Sequence, residues 1–177
     1  MMKLRTPLTL LVVAIVSMAV SAQSGNIVLT AAEQLQLLKT NRELIEDLLD
    51  QGTRVSDANT PLDRAAECQL STNRLAREFR SAIDRADADR ACEIGDHVEK
   101  VIVEGFVPNF ETARQNSKPG SPDYERVRTL HREATQSLEK LTATMPQEGP
   151  LTKSKRFQHV REKLGLAAAK VGKSTDD

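Results

Sequence analysis

Apolar residues recur three and four positions apart through most of the chain, the period of a helix with one buried side. From about residue 31 to residue 51, Leu35, Leu38, Ile45 and Leu49 form such a stripe. Thr30 and Glu33 in TAAE make a capping box at its start, and Gly52 supplies a stop. A second helix opens at TPLD, where Thr60 caps, Pro61 takes the first helical position and Asp63 lies in the first turn. Its stripe is Ala65, Cys68, Thr72, Leu75, Phe79, Ala82 or Ile83, and Ala86. A third follows a short connection with Asp87 as cap and carries Ile94, Val98, Val101, Ile102 and Phe106. Pro108 predicts a kink, and Phe110 and Ala113 carry the apolar face on to about Gln115. Ser121 and Pro122 open a fourth helix, reaching about Thr144, with Val127, Leu130, Ala134, Leu138 and Leu141 on one side. A shorter helix near Lys153 to Val171 carries Phe157, Val160, Leu164, Ala168 and Val171.

At about 1.5 Å per residue the four principal helices are each roughly 30 to 40 Å long, and matched lengths suit side-by-side packing. The pattern therefore predicts an all-α fold: an antiparallel, coiled-coil-like bundle of four long amphipathic helices plus the shorter C-terminal helix. Narrow stripes also suit a second layout, in which two long helices pair as a coiled-coil hairpin and the rest attach loosely or serve dimerisation.

The first residues break the helical pattern. Lys3 and Arg5 precede the apolar run LTLLVVAIVSMAV, and Val20 and Ala22 fit a small-x-small cleavage site before Gln23. These are the parts of a secretory signal peptide over residues 1–22. The run, Leu8 to Val20, is shorter than the roughly 20 residues a bilayer-spanning helix needs, although an uncleaved anchor is the competing reading. The rest divides into a helical bundle domain, residues 23–150, and a C-terminal helix and tail, residues 151–177. The expected compartment is periplasmic or extracellular, with no stable membrane span after cleavage.

Charge and composition narrow the function more than they define it. Losing Lys3 and Arg5 turns 25 basic and 25 acidic residues into 23 and 25, which favours no nucleic acid partner. The chain has no Trp and one Tyr, so stacking platforms for sugars or single-stranded bases are scarce. Residues 151–177 hold seven Lys/Arg against three Asp/Glu. That basic, amphipathic end either docks on the acidic bundle or makes weak contact with an anionic membrane surface.

Two cysteines, Cys68 and Cys92, stand in a chain with an export signal, where an even pair is usually bridged. A straight hairpin turning near Asp87 opposes the bond. It places Cys68 roughly 27 Å and Cys92 roughly 7 Å from the turn, whereas bridged Cα atoms lie within about 7 Å. The expectation is two free thiols; a break of helix two at QLSTN, residues 69–73, would instead allow an intrachain bridge.

Candidate chemistry is sparse. In CEIGDH, Glu93 and His97 share one helix face and Cys92 and Asp96 a neighbouring one, but a metal needs further ligands, and no spacing ties His131 or His159 to them. Gly172, Lys173 and Ser174 echo the end of a phosphate loop, but Ala167 stands where the first glycine belongs. No nucleophile motif is present. The expectation is a protein without catalytic, metal or cofactor residues, acting through a protein partner or itself, with an uncharacterised enzyme far behind. LTAAEQ at Leu29 to Gln34 resembles the LTxxQ element of small periplasmic stress chaperones and metal-resistance sensors of the Spy type, with the glutamine one position further along. That resemblance implies a chaperone or stress-sensing alternative and assigns no site residue.

Overall fold

The computed structural model describes residues 30–173; the expected signal peptide, residues 1–22, the following residues up to Leu29 and the tail from Ser174 on lie outside the described residues. Within them the fold is all-helical. Helix α1 is Ala31–Asp57, α2 Pro61–Asp84, α3 Ala88–Lys100, α4 Val107–Asn116, α5 Pro122–Ala143 and α6 Lys155–Lys173. A π-helical segment, Val101–Phe106, joins α3 to α4 as one rod, and a short 3-10 turn, Leu151–Lys153, precedes α6.

The starts are fixed by local chemistry, as the sequence predicts. Thr30 Oγ1 accepts from the Glu33 amide at 3.3 Å while Glu33 accepts from the Thr30 amide at 2.7 Å, a reciprocal capping box. Thr60 accepts from the Asp63 amide ahead of Pro61, Asp87 from Arg90, and Ser121 from Tyr124 ahead of Pro122. Between α2 and α3 the Asp87 amide donates to Ala82 O and the Ala86 amide to Ile83 O, the two bonds of a Schellman turn. Ala86 takes the left-handed position at φ 55°, so it belongs to the turn and is exposed, not part of the α2 stripe.

One end differs from expectation, and at Pro108 the helix continues as expected, through an irregular turn. Helix α1 passes through Gly52 to Asp57; without a left-handed φ there, glycine only weakens a helix, and an Arg54–Asp50 ion pair at 2.6 Å spans the position. Pro108 does not end its helix, because the preceding turn widens. The Val107 amide reaches back five residues to Ile102 O, and Asn109 Nδ2 donates to Gly105 O at 2.8 Å. The wider turn accommodates the proline ring and its missing donor.

The chain divides into two units, residues up to Leu49 and residues from Asp50 on. In the first, the expected stripe of α1 is not its buried side. Leu35, Leu38 and Leu49 are 55, 66 and 42 % exposed, Ile45 is half-buried, and Leu44 is buried. Two apolar stripes about 120° apart interleave on this helix, 35/38/45/49 and 37/44/48, and periodicity does not rank them.

In the second unit α2 packs on α3, the π segment, α4 and α5, while α6 packs on α3 and α5. The core holds Phe79, Val98, Ile102, Phe110, Leu141 and, from the last helix, Phe157, Val160, Leu164 and Val171. The C-terminal helix is thus built into this core, with Ala167 rather than Ala168 turned inward. Gly95 permits the close approach of α3, α2 and α6: a Cβ there would lie 2.3 Å from Val160 Cγ1 and 3.0 Å from Phe79 Cε2.

Candidate functional site

The cysteines are both buried and both free. Helix α2 does not break at QLSTN, because the Ser71 and Thr72 hydroxyls donate to the carbonyls of Glu67 and Cys68 four residues back, so the ladder continues beneath them. Cys68 packs against the π segment, where a Cβ on Gly105 would come within 2.9 Å of its Sγ. Burial, with a smaller push from Glu67, raises the Cys68 thiol to about 11. Burial likewise raises Cys92, with Arg156 partly opposing it. A thiol held protonated is a packing group rather than a nucleophile.

The residues of CEIGDH are drawn into ion pairs. Asp96 lies 3.2 Å from Lys163 Nζ and 3.9 Å from Arg156, Glu99 lies 3.6 Å from Lys163, and Glu93 pairs with Arg90 at 2.8 Å. The Asp96 and Glu99 contacts tie α3 to α6, while the Arg90–Glu93 pair lies within α3. His97 is half-buried, and burial holds its imidazole below its ordinary range despite Glu93 nearby. His131 lies on α5, its Nε2 2.8 Å from Val171 O and its ring 5.4 Å from that of Phe110, and His159 is exposed on α6. Among the described residues, no three His, Cys, Asp or Glu stand where they could share a metal ion. Gly172 and Lys173 close α6 and form no loop.

A polar seam that the sequence reading did not single out crosses the core beside the π segment. Gln69, Ser71 and Thr72 of α2 are buried, and Ser137 Oγ of α5 donates to Asn73 Oδ1. Gln69, Thr72, Asn73 and Ser137 border a cavity of about 10 Å³, and Gln69 Oε1 has no hydrogen-bond partner among the described residues. The available signal was four polar residues within five, Gln69 and residues 71–73, inside a strong helical period. Such a seam fixes the register of α2 against α5. Nearer the surface, an open groove of about 360 Å³ between α2 and α5 is floored by Leu62 and Leu130, and Arg126 bridges it to Asp63 at 2.8 Å.

Among the described residues, single large apolar side chains are exposed on α2 (Leu70) and α6 (Leu166), and a row of them on α1. The α1 stripe of Leu35, Leu38 and Leu49 runs through Arg42 and is flanked by Lys39 and Glu46, and Arg42 and Glu46 are ion-paired at 2.7 Å. Among the described residues no helix is long and apolar enough to cross a membrane. Comparison with protein-family models, curated proteins and solved structures finds no match to this chain.

Proposed function

We propose that this is an exported, non-catalytic helical protein that works by protein–protein association through α1. The observation that carries the reading is the exposed leucine stripe of that helix. A row of large apolar side chains at helical spacing, rimmed by charge, is the surface an amphipathic helix offers to a partner. The second unit acts as the rigid support, its thiols and carboxylates spent on packing and ion pairs. A chaperone is the second reading, since the same leucines would hold an unfolded client transiently.

A photoreactive amino acid at position 38, activated in the producing cell, tests the proposal. A discrete, saturable adduct supports association, and no adduct of any kind overturns it. A heterogeneous ladder of adducts, together with suppressed aggregation of a reporter client at substoichiometric amounts, would move the assignment to the chaperone.

A further inference from the structure

We infer that the occupant of the α1 stripe is α1 of a second copy, paired antiparallel about a two-fold axis near residues 43 and 44. The inference rests on the association reading above and names the partner.

Leu35, Leu38, Arg42, Ile45 and Leu49 follow one another at intervals of three, four, three and four. That is a two-helix seam, narrower than the face a bundle helix buries. The one charged member decides the orientation. Parallel pairing sets Arg42 against Arg42 across the seam. Antiparallel pairing sets the Arg42 stem against Ile45 and packs Leu38 on Leu49 of the second copy, twice by symmetry. The flanks agree. Lys39 and Glu46 stand seven residues apart on the same edge of the stripe, and only an antiparallel two-fold brings that edge against itself in reverse order. Each Lys39 then meets Glu46 of the second copy. Glu46 holds its own Arg42 through Oε1 and has its second oxygen for the lysine. The seam covers about 15 residues, roughly 22 Å, so the dimer is reversible and concentration-dependent rather than obligate.

Sedimentation of the purified protein, in the form to which the cell processes it, tests this across a range of concentrations. The wild type is expected to dimerise, and Leu38→Ser and Glu46→Lys each to weaken the dimer by about tenfold. The double variant Lys39→Glu/Glu46→Lys restores it, because the swapped charges still face one another. Asp47→Lys, on the opposite side of the helix, makes the same charge change and leaves the dimer intact. Circular dichroism of each variant shows that helix content is kept. A wild type that is monomeric throughout, a dimer indifferent to Leu38→Ser and Glu46→Lys, or a charge swap that fails to restore pairing overturns the inference. A monomer that still forms a discrete adduct with another protein from position 38 leaves the association reading standing without this partner; a monomer with no adduct removes both.

Discussion

Gly95 is the residue on which the contact of α3 with α6 turns. Exchanging it for alanine adds helix propensity worth about 1 kcal/mol, but the new methyl would meet Val160 Cγ1 at 2.3 Å in a packed core. Overpacking of this kind typically costs about 1–3 kcal/mol, so the clash outweighs the propensity. Gly95→Ala is therefore expected to lower the urea midpoint, and adding Val160→Ala to recover part of the loss. Strict additivity in that double-mutant cycle would show that the two positions do not meet.

His97 gives a second residue-scale expectation. Its folded state resists the proton, so below the ordinary value of 6.5 the unfolded chain binds more protons than the folded one. Stability present above that pH is lost as pH falls from it toward the lower folded value. The carboxylate of Asp63, held down by Thr60 and Arg126, acts near its own ordinary value of 3.8, outside this window. His97→Gln should flatten the dependence just below pH 6.5, measured by urea unfolding on either side; an unchanged slope would remove His97 as its source. At this scale the sequence disclosed caps well and packing poorly. Thr60, Asp87 and Ser121 act on neighbours three residues away, whereas the neighbours of Gly95 and Gln69 lie on other helices.

Among elements, the turn between α2 and α3 carries a correctable strain. Ala86 sits at φ 55° and is exposed, so its methyl adds no packing while the left-handed backbone costs a non-glycine residue about 1–2 kcal/mol. Glycine removes that cost but enlarges the unfolded ensemble by about 0.4–1 kcal/mol. The balance favours Ala86→Gly by about 0.5–1 kcal/mol, read as a higher melting temperature; a lower one would mean that the turn relaxes without help. Helix spans were legible because Pro, Ser and Thr punctuate them. The π segment was not, since a proline within an apolar period predicts an irregularity without saying which kind. Nor did periodicity separate the two stripes of α1, which differ in exposure and not in composition.

For the whole molecule, the sequence shows each apolar stripe but not which stripes meet. The net basic charge of α6 left docking on the bundle and contact with an anionic membrane surface both open, because charge describes only its outer side; Phe157, Val160, Leu164 and Val171 are all buried in the core. Burying a large apolar side chain contributes about 1.5–3 kcal/mol, so these four together supply roughly 6–12 kcal/mol, as much as the whole net stability of a typical domain. A chain ending at Ser154 should consequently lose its cooperative melt. The opposite truncation behaves differently. The core of the second unit is drawn from Leu62 to Val171, and the division into units falls at Leu49, so a chain beginning at Asp50 should keep one cooperative transition. If the proposed pairing of α1 is right, that same truncation also abolishes concentration-dependent dimerisation, separating the unit that folds from the helix that associates. A chain from Asp50 that fails to fold would instead make α1 part of the structural core.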